Sequence, residues 1–294
     1  MKIAVLLFGH LRSFETCVDS LREHVLSRYD CDVFMHTWDE RDVKTRTWHN
    51  QICEPVLFDK AAMGAVIEAK YAPKYYEITH QNLEGGDHVI QSTYFPDYKF
   101  SLTGMHFLMY SMNRANELRH QYEKEHDVHY DYVLVTRPDV YFHVDFKIEK
   151  VIAQALCFGL DLNKTRFFAT DQANSHFTSA TFLDCCSDVL FFAYPQVVDT
   201  FIRVNTDVDE EYCKAHSMGI NSIFACREIE AGIIPVPIAF TKGNDWAFSA
   251  QRVEKSQVVK QKSRMRMFVI KALSYVLLPV AYMFKRYSGL NYYK

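Results

Sequence analysis

The sequence predicts an α/β fold, a mostly parallel central sheet flanked by helices and followed by an amphipathic helical tail. Three observations predict it. Ile3 to Phe8 is a near-continuous apolar run, as expected of a strand covered on both faces. A stretch with helical spacing and then a second apolar run, Cys31 to His36, complete a strand–helix–strand unit of the parallel type. A long helical pattern after residue 104 feeds another apolar, β-branched run, Tyr132 to Thr136, which reads as a central strand.

The elements follow in order. Gly9 breaks the first strand. Ser13 can cap a helix whose apolar positions Phe14, Cys17, Val18, Leu21 and Val25 recur every three or four residues, ending near Arg28. The second strand ends at His36, leaving Thr37-Trp38-Asp39 to emerge at the same sheet edge as Gly9-His10-Leu11-Arg12. Pro55 to Phe58 and Tyr75 to Ile78 read as short strands around a helix near 60–70, and 81–96 as a long loop. Met105, Leu108, Met112, Ala115, Leu118 and Tyr122 keep helical spacing, with Arg119, Glu123 and Lys124 on the other face. Beyond Pro138 the pattern turns to short elements: strands at 166–170 and 189–193, helices near 195–203 and 210–218. Ile233 to Phe240 holds Pro235 and Pro237 and is at best an edge strand.

Of 294 residues 49% are hydrophobic and 15% aromatic, enough for one large domain or two small ones, which excludes disorder, collagen and coiled coil as the main state. Net charge is −3, too balanced for electrostatic coating of nucleic acid. The balance hides a split. Nine of the 33 Lys and Arg and none of the 36 acids fall in 255–294, so an acidic body of −12 carries a tail of +9, the pattern of an attachment surface. The eight cysteines form no CxxC pair and no regular spacing, and the first apolar run is too short for a signal peptide. A reducing cytosolic compartment is the expectation.

Ligands of open parallel sheets bind outside the carboxyl ends of the strands. Three such ends are Gly9-His10-Leu11-Arg12, His36-Thr37-Trp38-Asp39 and Arg137-Pro138-Asp139-Val140. His10 and Arg12 have the chemistry to neutralise a diphosphate, Trp38 to stack on a base or sugar, and Asp139 to ligate a divalent ion.

These stretches carry a resemblance. Phe8 to Phe14, Asp32 to Asp39 and Tyr130 to Val140 resemble segments of bacterial and viral polysaccharide glycosyltransferases of the GT-A fold, enzymes of capsule and lipopolysaccharide assembly. Ser187 to Ala193 is similar to a segment on their acceptor side, and the likeness runs in order over about 1–245. It implies a GT-A-like, Rossmann-like catalytic domain over 1–250, a nucleotide-sugar donor, and in many members a divalent metal, Mn²⁺ or Mg²⁺. By position, Asp139 takes the place of the metal-binding acidic motif and Arg137 contacts donor phosphate or sugar. The sequence departs from the common pattern in having Arg-Pro-Asp where two aspartates flank one residue. The resemblance also puts the long helix beside the donor site, which makes Asn113 and Arg114 candidates. The donor-binding set is thus Gly9, His10, Arg12, Thr37, Trp38, Asp39, Arg114, Arg137 and Asp139, with Asp139 as the metal ligand.

Sugar transfer needs charge stabilisation on the departing diphosphate and, for inversion, a base for the acceptor hydroxyl. Asp188 is the favoured base, with Glu211 and Asp184 behind it and Asp39 and His36 as alternatives. His106, His120, His126 and His129 lack the spacing of a compact metal motif and read as surface residues.

In the tail, 251–294, the stretch Met267 to Phe284 is interrupted by Lys271 and Pro279 and flanked by Lys260, Lys262, Arg264, Arg266, Lys285 and Arg286. That fits a helix lying in the interface of an anionic membrane better than one crossing it. The expectation is a glycosyltransferase peripheral on the inner face of the membrane, acting on a lipid-linked or surface-polysaccharide glycan, with no nucleic-acid partner. The alternative is a non-catalytic nucleotide- or glycan-binding protein in which Arg137 and Asp139 only support a turn. A dehydrogenase or kinase is disfavoured, since there is no GxGxxG after the first strand and no GxxxxGK[ST].

Overall fold

The computed structural model describes residues 1–42, 56–91, 99–157, 166–171, 189–216, 223–224, 227, 230–241 and 246–247. The tail therefore lies outside the described residues. In chain order the elements are β1 (Lys2–Phe8), α1 (Phe14–His24), β2 (Asp30–Trp38), α2 (Lys60–Tyr71), β3 (Tyr75–Thr79), β4 (Val89–Gln91), β5 (Lys99–Ser101), α3 (Leu102–His126), β6 (Tyr132–Thr136) and β7 (Tyr141–Phe142). They continue with α4 (Ile148–Cys157), β8 (Arg166–Asp171), β9 (Leu190–Ala193), α5 (Pro195–Thr206), α6 (Glu210–His216), β10 (Ile234–Thr241) and β11 (Trp246–Ala247).

A seven-stranded sheet runs in the order β10-β8-β9-β6-β1-β2-β3. β1 pairs in parallel with both β2 and β6, and β2 with β3. β9 is antiparallel to both β6 and β8, so the expected mostly parallel sheet is what forms, with one reversed strand. β10 takes the edge, where Pro235 and Pro237 cost no inner ladder bonds. Alternation along β1 divides the core between two faces. Ala4, Leu6 and Phe8 join Met105, Met109 and Met112 of α3 and Val198 and Phe201 of α5. Ile3, Val5 and Leu7 join Phe14, Val18 and Leu21 of α1, Ile67 and Tyr71 of α2 and Ile148 of α4.

Helix ends follow local chemistry. Asp59 caps α2 by accepting from Ala62 N (2.7 Å), and Ser101 caps α3 by accepting from Gly104 N (2.6 Å). Ser13 stands at the cap of α1, but its side chain makes no capping hydrogen bond. Four differences from the sequence reading matter. β2 runs two residues further, through Thr37 and Trp38. The stretch read as a strand at 55–58 is represented by a single bridge between Leu57 and Glu40. The loop at 81–96 contains β4, which pairs with β5 as a hairpin. α4 and the small β7–β11 pair were not predicted.

Candidate functional site

Strand order reverses between β1 and β6: one half of the sheet grows outward from β1 and the other from β6. This is the switch point at which open α/β sheets receive ligands. The turn after β1 is left-handed at two positions, Gly9 (φ +89°) and Arg12 (φ +47°). A non-glycine residue in that region carries strain, and here the surroundings hold it. Arg12 N donates to Arg41 O (3.1 Å), and Arg41 Nε donates back to Arg12 O (3.1 Å), tying the turn to the chain just past β2.

From this turn the Arg12 guanidinium reaches two carboxylates, with Nε on Asp42 (2.9 Å) and an Nη on Asp139 (3.2 Å). Arg137 grips the same Asp139 in a fork, Nε to Oδ1 at 2.9 Å and Nη to Oδ2 at 2.5 Å. Asp139 is only 3% exposed. Two planar cations therefore converge on one buried carboxylate at the switch point, each fixed in direction.

One strand over, the ends of β2 and β3 form a second cluster. Asp39 is 7% exposed and Glu40 fully buried. His80 Nδ1 lies 3.1 and 3.2 Å from the two Asp39 oxygens and 4.0 Å from Glu40 Oε1. Lys60 Nζ, at the start of α2, is 3.3 Å from Asp39 Oδ2.

Beneath both clusters lies a buried polar spine. Ser111 Oγ of α3 accepts from Gly9 N (2.7 Å) and contacts His36 Nδ1 (2.7 Å), while His36 Nε2 meets Thr79 Oγ1 (2.9 Å). Burial, with the charge of Arg114 adding to it, pushes His36 down to about 3. His10 is also brought to about 3, by burial first and then by the Arg12 charge, and its Nε2 is buried without a hydrogen bond.

These placements correct several sequence expectations. His10 is a neutral imidazole at working pH and brings no positive charge to a diphosphate. Thr37 is fully buried inside β2. Trp38 is 3% exposed, its ring stacked on Tyr110 at 5.5 Å and edged by Phe107 and His36, so it has no face to offer a base. Arg114 is held by Glu77 and Glu117 along α3 and β3, and no described contact joins it to the strand-end clusters. Asp139 accepts one guanidinium N–H on Oδ1 and two on Oδ2, so a divalent cation there would share the carboxylate with two arginines. Glu211 is exposed on α6, which packs against the β4 hairpin; its neighbour Glu210 pairs with His88 and Lys214. Asp188 and Asp184 lie outside the described residues. Gly9, Arg12, Arg137, Asp139 and Asp39 are the predicted residues that one edge brings together.

Sequence reasoning missed Asp42, Glu40, His80, Thr79 and Ser111. Glu40 directly follows Asp39 and was within reach of inspection, whereas His80 joins it only through the β2–β3 register, Trp38 opposite Thr79. His120, read as a surface residue, is bound to Asp199 (2.9 Å) and is raised to about 9 by Asp199 and Glu123.

No protein-family model matches the chain, and no curated protein does. Among solved structures, one it resembles is the galactosyltransferase LgtC in complex with donor and acceptor sugar analogs. The two are 12% identical, with a TM-score of 0.38, over 80% of this chain and 73% of that one. A likeness of that size carries no weight for chemistry.

Proposed function

We propose that the chain is a GT-A-type glycosyltransferase that moves a sugar from a nucleotide-sugar donor to a glycan. The observation that carries this is the pairing of Arg12 and Arg137 on Asp139 at the switch point, together with the family resemblance of the three strand-end segments that supply these residues. Asp139 orients the two guanidiniums, whose fixed positive charge suits phosphate oxygens. As the bond from the anomeric carbon to the diphosphate breaks, these cations take up the negative charge that gathers on the leaving oxygen. In an inverting transfer the new bond forms from the acceptor oxygen, whose proton passes to a carboxylate. Asp188 is proposed for that role on the resemblance of Ser187 to Ala193 to an acceptor-side segment.

The lipid-linked or surface-polysaccharide acceptor, and residence on the inner face of a membrane through the basic tail, belong to the same proposal and rest on the charge split of the sequence. Among the described residues no helix is long and apolar enough to cross a membrane.

The test is thermal shift of the full chain with UDP, GDP and CMP in EDTA, followed by transfer assays with labelled nucleotide-sugars. A nucleoside phosphate that stabilises the wild type and not Arg12→Ala, with label moved to a glycan, supports the reading. Binding without turnover on any acceptor would leave a nucleotide-binding protein, and no binding at all, in EDTA or with Mn²⁺ added, would remove the site.

A further inference from the structure

We propose that Asp39, Glu40 and His80 form a binding site for a first-row divalent transition-metal ion, distinct from Asp139. It goes beyond the transferase reading and does not depend on it. The three donors come from two parallel neighbours, β2 and β3, whose register sets Trp38 beside Thr79, so the residues that follow each strand emerge together. Their backbone is fixed from both sides. Asp39 N donates to Thr79 O (2.8 Å), Phe58 N donates to Asp39 O (3.1 Å), Arg41 N donates to Val56 O (2.9 Å), and Glu40 bridges Leu57.

The spacing is that of a coordination shell. One donor atom from each residue lies within 4.8 Å of the others, and His80 Nδ1 stands 3.1 Å from Asp39 Oδ1 and 4.0 Å from Glu40 Oε1. Ligand atoms roughly 2.1 Å from a cation are about 3 Å apart at right angles and about 4.2 Å apart when opposite, so small side-chain adjustments suffice. Lys60 holds its ammonium 3.3 Å from Asp39 Oδ2, and with half of its side chain exposed it can swing out to solvent when a metal enters. Two carboxylate oxygens and one imidazole nitrogen suit Zn²⁺, Mn²⁺ or Co²⁺ over Mg²⁺ or Ca²⁺, which prefer oxygen alone. Three protein ligands leave a position for water or for an oxygen of a bound molecule.

The experiment is calorimetric titration of the full chain, stripped with EDTA, with ZnCl₂, MnCl₂ and MgCl₂ in turn, with the visible absorption of Co²⁺ as a second readout. One ion per chain is expected, with Zn²⁺ or Mn²⁺ ahead of Mg²⁺. His80→Ala should weaken binding by at least about ten-fold. Lys60→Met should tighten it by about three-fold, because a competing cation is gone. His80 is mostly exposed, which makes its substitution tolerable to the fold, and Asp39→Asn gives an isosteric second variant. Absence of binding, or binding that both His80→Ala and Asp39→Asn leave unchanged, overturns the site. Nucleotide binding is measured in EDTA as well as with Mn²⁺, so either proposal can fail without the other.

Discussion

Asp39 and Asp139 leave the same edge of the same sheet, each just past a parallel strand and each less than a tenth exposed. Their partners differ. Asp139 is held by two guanidiniums through three N–H contacts, two of them from the arginine two residues before it. Asp39 faces an ammonium on a flexible stem, an imidazole and a second carboxylate. A guanidinium is always charged and its fork fits both oxygens, so Asp139 is taken up with structure and with aiming arginines. The Lys60 ammonium and the His80 imidazole are each more than half exposed and can swing away, so Asp39 stays open to exchange. Position at a strand end is thus not enough to name a ligand-binding carboxylate; what already occupies it decides.

The sharpest way to break the contrast is Arg137→Ala. It strips the fork from a buried carboxylate and should destabilise the protein by about 4 kcal/mol in chemical denaturation, with Arg137→Lys recovering only part. Next comes the acid limb. His10 and His36, which border the two clusters, sit at about 3 when folded against 6.5 for the free side chain. The unfolded chain therefore takes up protons first, and stability falls as the pH drops below 6.5, levelling near 3. Each histidine should cost about 2 kcal/mol by pH 5, and in His36→Gln the fall should be shallower by that amount.

An opposite sign is expected between α3 and α5, where Asp199 holds His120 protonated up to about 9. Its contribution is complete below 6.5 and is lost as the pH rises through 9. With half of the ring in solvent, His120→Gln should cost about 1 kcal/mol at pH 6 and nothing at pH 10, read from melts at the two values. The smallest effect belongs to Lys60. Replacing it with Met in metal-free protein should change stability by about 0.5 kcal/mol, as for an exposed ion pair, and a much larger loss would mean that Asp39 is locked into its ion pair just like Asp139.

Much of the scaffold was readable because its signals are long or punctuated. Ile3 to Phe8, the periodic residues of α3 and the prolines of β10 each constrain one answer. The direction of β9 was not readable, since four buried apolar residues look the same either way. Thr37 and Trp38 were misread for a physical reason: both favour extended structure, and with the strand ended at His36 they looked like loop residues facing a ligand. The arginine–aspartate cluster was legible as three strand ends. The Asp39–His80 pairing was not, because it exists only through strand register, and Ser111 is one hydroxyl on a helix with nothing in its neighbourhood to mark it.

Ser111 gives the molecule a mechanical linkage. Its one oxygen touches the Gly9 amide and the His36 ring, while α3 starts directly after the β4–β5 hairpin. Any roll of that helix about its long axis must drag the Gly9 amide or break this junction, so the hairpin and the arginine-bearing turn share an axle.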